Sequence, residues 1–82
     1  MAELKYWGEM MAVTGKRSET LQAGSIAEVL SFLERQYGKA ALKEAKRMLI
    51  TVDGTNIQLL ERFKTPLSGR ETVSFLPLSG GG

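Results

Sequence analysis

The clearest capacity for chemistry lies in the final stretch of the sequence, residues 73–82. Val73 and Phe75 alternate with a serine, which is the pattern of a half-buried β-strand. Pro77 ends that strand because proline has no N–H to donate to a ladder. A run of glycines follows. A glycyl carboxylate has no side chain beside it and can enter a narrow slot, so we expect the carboxylate of Gly82 to be the reactive group.

We expect residues 1–78 to form one domain and residues 79–82 to form a flexible tail. The tail reaches at most about 14 Å when fully extended, and Gly80 and Gly81 would thread the active site of a partner. A carboxylate is a poor acyl donor, so a partner that binds ATP must first activate Gly82 as an acyl-adenylate. The alternative interpretation is a frayed terminus or a linker, which is common for glycine runs.

The composition excludes several kinds of site. The 82 residues include no cysteine and no histidine, which excludes disulfides, thiol nucleophiles and a histidine base. The net charge is only +2, and the cations lack the clustering with aromatic residues that is typical of nucleic-acid binding. No segment approaches the roughly 20 apolar residues of a membrane span, and the first residues do not resemble a signal peptide. We therefore expect a cytoplasmic protein with no nucleic-acid or membrane partner and no bound metal or cofactor.

Hydrophobic periodicity predicts one main helix over residues 26–37. Its apolar residues recur at helical spacing, and Ser25 with Glu28 can form a capping box before it. Gly38 is placed to end the helix. An alanine-rich stretch at residues 40–46 predicts a short second helix.

The strand pattern completes the predicted fold. Tyr6 and Trp7 place large rings on both sides of the first strand, which predicts a central strand, and Gly8 follows as a bulge or a point of close approach. Asp53-Gly54 is a favoured hairpin pair. One long amphipathic helix needs a single covering sheet, so we expect an α+β, β-grasp arrangement with a mixed four- to five-stranded sheet and parallel first and last strands. The predicted strands are residues 4–10, 17–22, 48–52, 55–60 and 71–76.

Several short motifs occur in a fixed order along the chain: Tyr6-Trp7-Gly8-Glu9, Thr14-Gly15-Lys16, Ala23-Gly24-Ser25, Val52-Asp53-Gly54, Thr65-Pro66-Leu67, Glu71-Thr72-Val73, Val73-x-Phe75-x-Pro77 and Gly81-Gly82. This ordered set resembles the ubiquitin-like sulfur-carrier family, which includes the small subunit of molybdopterin synthase and the thiamine-pathway carrier. The sequence departs from the family at Leu78, Ser79 and Gly80, where Pro-Val and a small residue are common.

The resemblance implies a mechanism in which this chain is a substrate and not an enzyme. A partner similar to a ubiquitin-activating enzyme would adenylate Gly82 with ATP and Mg²⁺, and sulfur from a persulfide enzyme or sulfide would convert it to a thiocarboxylate. The sulfur would then pass to an enzyme such as the large subunit of molybdopterin synthase, or to thiamine or another pathway. Phe75, Leu76 and Leu78 lie at the root of the tail and are candidates for partner docking. Core packing is the alternative for each, and it is favoured for Phe75.

Two further functions stay open. The chain could be a protein modifier that is joined through Gly82 to lysines of other proteins, since the chemistry is the same up to the adenylate. It could also be a non-covalent binding module whose glycines are incidental.

Overall fold

A computed structural model describes residues 1–78 of the chain. Within them, one mixed sheet has the strand order β2-β1-β5-β3-β4. The central pair, β1 and β5, is parallel, and the other neighbouring strands are antiparallel. The predicted α+β fold with parallel first and last strands is therefore confirmed. The strands are β1 (Ala2–Tyr6), β2 (Ser18–Leu21), β3 (Leu49–Val52), β4 (Thr55–Asn56) and β5 (Thr72–Leu76), and the helices are α1 (Glu9–Thr14), α2 (Ile26–Tyr37) and α3 (Lys39–Arg47).

Helix α2 has the bounds that its sequence pattern predicts. Ser25 Oγ accepts a hydrogen bond from the Glu28 N–H at 3.2 Å. The Glu28 carboxylate accepts from the Gly24 N–H at 2.9 Å, one residue earlier than in the predicted capping box. Gly38 ends the helix at a φ of +97°, a conformation that favours glycine. Helix α3 then begins at once and extends slightly beyond the second helix that the sequence predicts.

The core lies between the sheet and α2. Alternate residues of the two central strands point toward the helix, and alternation of this kind is the normal consequence of strand geometry. They pack against the apolar stripe of α2, while α3 packs against α2 and α1. The fully buried members of this core include Leu4, Tyr6, Ile26, Val29, Leu33, Val73 and Phe75.

The prediction of a strand over residues 4–10 is wrong beyond Tyr6. Gly8 adopts a φ of +57° and turns the chain out of the sheet. The N–H of Met10 then donates to the Trp7 carbonyl at 3.1 Å, and helix α1 follows. Gly15 ends α1 in the left-handed conformation, as expected for a turn at this position.

The prediction of a return strand over residues 55–60 is also too long. The Asp53-Gly54 hairpin is confirmed, since both residues have positive φ. However, β4 stops at Asn56 because the Asn56 side chain accepts from the Gln58 N–H at 2.8 Å. This local bond competes with the ladder, and two 3₁₀ turns follow at Ile57–Leu59 and Arg62–Lys64.

Candidate docking site at the end of the central strand

The described part of the tail root consists of the end of β5 and the two residues after it, Pro77 and Leu78. Strand β5 is held on both sides, by β1 and by β3, so the start of the tail leaves the sheet from a doubly paired strand. The predicted reactive residue Gly82, with Gly80 and Gly81, lies outside the described residues.

Phe75 lies in the core with none of its surface exposed. Its ring contacts that of Tyr6 in a tilted arrangement, with 5.8 Å between the centroids. The side chain therefore has the core role that strand alternation favours. A partner could contact it only if the sheet separated from α2.

Leu76 belongs instead to an apolar row on the outer face of the sheet, away from α2. Leu49 is its register partner on β3. On the other side, the Trp7 N–H donates to the Phe75 carbonyl at 3.2 Å, which extends the parallel ladder by one residue and places Trp7 beside Leu76. Trp7 is 40% exposed, and the two leucines are half-buried. We call Trp7, Leu76 and Leu49 the apolar row.

Leu78 lies beyond the strand, is 62% exposed and lines a groove together with Leu49 of the row. Position at the root of the tail makes Leu76 and Leu78 docking candidates from sequence, whereas Trp7 is not among the predicted site residues. A signal for Trp7 was present, because a second ring on the outer side of a central strand predicts a partly covered outer face. The apolar row is a partly exposed apolar surface of the kind that marks interaction sites.

The turn after β1 supports the start of the tail through Gly8. A Cβ atom built at Gly8 would lie 3.2 Å from Pro77 Cγ, and the φ of +57° also disfavours a side chain there. Gly8 is therefore a point of close approach, as its position in the sequence suggests. Pro77 rests against this turn.

The surface around Trp7 is basic. A groove of about 460 Å³ runs beside the ring, and its charged residues are Lys5 and Arg17. Met11 adds an apolar side chain to the same groove. The outer face near the tail root therefore combines apolar side chains with positive charge.

A polar cluster at the margin of the core face fixes β2 against the helix. The Glu19 carboxylate accepts from the hydroxyls of Tyr6 at 2.6 Å and Tyr37 at 2.7 Å, and from Lys16 Nζ at 3.2 Å. Burial of Glu19 acts to raise the pKa of its carboxyl, but the hydrogen bonds from Tyr37, Tyr6 and Lys16 together outweigh it and lower that pKa. No local sequence pattern predicts this cluster, because Tyr6, Glu19 and Tyr37 come from three separate elements.

Two kinds of site are absent from the described residues. No group of acidic side chains in residues 1–78 is arranged to hold a metal ion. No helix in the same part of the chain is both long and apolar enough to cross a membrane.

Comparison with known proteins identifies the family. The model of the ThiS family matches residues 4–82. A comparison with curated protein sequences finds no match.

Solved structures support the fold. The chain is similar to small archaeal modifier protein 1 from Methanosarcina acetivorans, with 23% identity, coverage of 99% of this chain and 95% of that chain, and a TM-score of 0.82. It is similar to a chain of the BexX/CysO complex from Amycolatopsis orientalis, with 12% identity, full coverage of both chains and a TM-score of 0.84. It also resembles CysO from Mycobacterium tuberculosis, with 16% identity, coverage of 94% and 98%, and a TM-score of 0.81. The expected β-grasp arrangement is confirmed, and the chain belongs to the ThiS family.

Proposed function

We propose that this chain is a sulfur carrier whose reactive group is the carboxylate of Gly82. The observation that carries the proposal is the ThiS family match, which runs from the first strand through the glycines to residue 82. The apolar row at the root of the tail supports it, because a carrier needs a surface that docks on the enzyme processing its terminus.

The proposed reaction has two steps. In the active site of an activating enzyme similar to those of ubiquitin, a Gly82 carboxylate oxygen attacks the α-phosphorus of ATP in the presence of Mg²⁺. The bond from that phosphorus to the β-phosphate oxygen breaks, pyrophosphate leaves, and an acyl-adenylate remains. Sulfide attacks the carbonyl carbon, the bond to the AMP oxygen breaks, and a thiocarboxylate forms as the sulfide proton is released. With an enzyme persulfide as donor, the first product is an acyl disulfide, which a thiol must then cleave to the thiocarboxylate.

The chain acts in this scheme as a substrate protein and supplies no catalytic group of its own. The apolar row and Leu78 would position the body on the activating enzyme, while Gly80 and Gly81 enter its active site. We propose molybdopterin biosynthesis as the pathway that receives the sulfur, through an enzyme such as the large subunit of molybdopterin synthase. Thiamine or another sulfur pathway is the alternative acceptor.

A second candidate is a protein modifier joined through Gly82 to lysines. One of the similar structures is that of a protein named a modifier, and both functions share the adenylate. Adducts that resist thiol reagents and are linked through lysine would support conjugation.

The test is the intact mass of the protein after co-expression with the activating enzyme and a sulfur source. We expect a mass gain equal to the difference between one sulfur and one oxygen atom, and no gain after deletion of Gly82. The mass of the untreated protein also establishes that Gly82 carries the free carboxylate. An unchanged mass, under conditions in which a control carrier of the family gains sulfur, would contradict the proposal.

A further inference from the structure

A second surface at the tail root adjoins the apolar row, with which it shares Leu49. It is a groove of about 250 Å³ between the end of α3, the start of β3 and the two 3₁₀ turns. Lys46, Arg47, Phe63 and Leu78 line it, and we call it the Leu78 groove.

The groove exposes large apolar side chains. Phe63 is 39% exposed and Leu78 62% exposed. Lys46 Nζ lies 5.8 Å from the centroid of the Phe63 ring, so the cation and the ring form one contiguous surface. Leu59 and Leu60, a few residues before Phe63 in the chain, are also exposed. An apolar patch rimmed by polar groups is typical of a protein interaction site.

The positive charge of the groove indicates that its binding partner carries negative charge. Lys46 and Arg47 are the charged residues that line it, and no carboxylate from residues 1–78 does so. The adjoining groove, which shares Leu78 and both cations, also contains Glu9 and Glu44, so its charge is balanced. Glu44 approaches Arg47 only to 3.7 Å, and the Arg47 side chain stays 70% exposed. The Leu78 groove is therefore the more positive of the two.

We propose that the Leu78 groove binds an acidic segment, bearing apolar side chains, of the enzyme that adenylates the tail. The inference rests on the proposed function, because it assigns the groove to the partner of that same terminus. Carboxylates of the segment would pair with Lys46 and Arg47, and its apolar side chains would cover Phe63 and Leu78. Contact at this groove would extend docking at the adjoining apolar row, so that the enzyme contacts the tail root over both surfaces.

The test is ATP–pyrophosphate exchange by the activating enzyme of the source organism, with this protein as the substrate. The charge reversal K46E/R47E should raise the KM for the carrier roughly tenfold and leave kcat unchanged. The difference in KM between K46E/R47E and the unaltered protein should shrink as salt is added, because the attraction is electrostatic. The variant K39E/R70E changes the net charge equally and should leave KM unchanged. Lys39 begins α3, about 10 Å along the helix from Lys46, and Arg70 precedes the opposite end of β5.

Two further measurements keep the result interpretable. Lys46 and Arg47 lie in the last turn of α3, where cations stabilise the helix, so thermal unfolding is recorded for every variant. The neutral variant K46Q/R47Q retains more of the helix stability and should give an intermediate KM.

The outcomes separate this inference from the proposed function. The inference alone would be overturned if the unaltered protein supports exchange and K46E/R47E has the same KM as the unaltered protein. An equal rise in both variants would also overturn it, by showing a general attraction. A dimer in sedimentation that K46E/R47E dissociates would assign the groove to a second copy of the chain and overturn it too. No exchange with the unaltered protein, with an enzyme active on a control carrier, would overturn both proposals.

Discussion

The two faces of the sheet use neighbouring residues of the same strands for different purposes. On the inner face, Phe75 and Tyr6 are buried against each other under α2. On the outer face, Leu76 and Trp7 follow them directly in sequence and remain partly exposed at the tail root. A shift of one residue along β5 therefore separates the side chains that hold the fold from those available to a partner. Substitutions one position apart should separate stability from partner binding.

The largest expected effect is that of Phe75→Ala on stability. Removal of a buried aromatic side chain leaves a cavity and should lower the free energy of unfolding by about 3–5 kcal/mol. Urea denaturation measures this loss. Leu76→Ala is the matched control and should cost under about 1.5 kcal/mol, because its side chain is only half-buried. Equal losses for the two variants would contradict the assignment of the faces.

The polar margin of the inner face should make stability depend on pH. The pKa of Glu19 is lowered in the folded state, so its contribution is present above the unfolded pKa, near 4.3, and is lost as the pH falls through the folded value. Glu19→Gln should lower the free energy of unfolding by about 2 kcal/mol at neutral pH. The difference from the unaltered protein should shrink below about pH 4. A difference that stays constant down to pH 2 would argue against a stabilising carboxylate.

Substitutions in the apolar row should affect the partner and spare the fold. Leu76→Ser and Trp7→Ala should each raise the KM for the carrier in ATP–pyrophosphate exchange roughly tenfold, with a small change in the urea midpoint. Thr20→Ala, an exposed position on the edge strand β2 outside both proposed docking surfaces, is the control. Unchanged KM values in both row variants would show that the outer face is not part of the docking surface.

The smallest expected effect concerns the support of the tail root by Gly8. Gly8 and Gly15 both have positive φ, but a Cβ atom at Gly8 would press on Pro77, while one at Gly15 meets nothing within 4 Å. Gly8→Ala should therefore lower the free energy of unfolding by about 1 kcal/mol more than Gly15→Ala does. Thermal unfolding of the two variants gives the difference. Equal costs would show that the Pro77 contact adds nothing to the backbone strain.

Much of the fold is predictable from local sequence, because α2 combines a regular apolar stripe with a cap at Ser25 and a glycine at its end. Helix α1 is not, since it has only six residues, too few to show a helical period, and it follows a strand without a polar break. Strand β4 is overestimated because the Asn56 side-chain bond has no signature in the alternation of apolar residues. Short-range hydrogen bonds, and not the hydrophobic pattern, determine the conformation of these two segments.

The candidate site is predictable only in part. Strand alternation predicts the inner position of Phe75 and the outer position of its neighbour Leu76. It does not predict which residues from other strands lie beside Leu76, since that requires the register between β1, β5 and β3. The groove formed by Lys46, Phe63 and Leu78 likewise depends on how three distant segments meet.

The central position of β5 has a consequence for the synthesis of the protein. Its two neighbours, β1 and β3, have no partner between them until β5 inserts. On the ribosome, the sheet therefore stays incomplete until residue 76 leaves the exit tunnel, and these long-range pairings are slow to form. A chain that stops before β5 leaves two separate strand pairs, β2 with β1 and β3 with β4, and cannot complete the sheet.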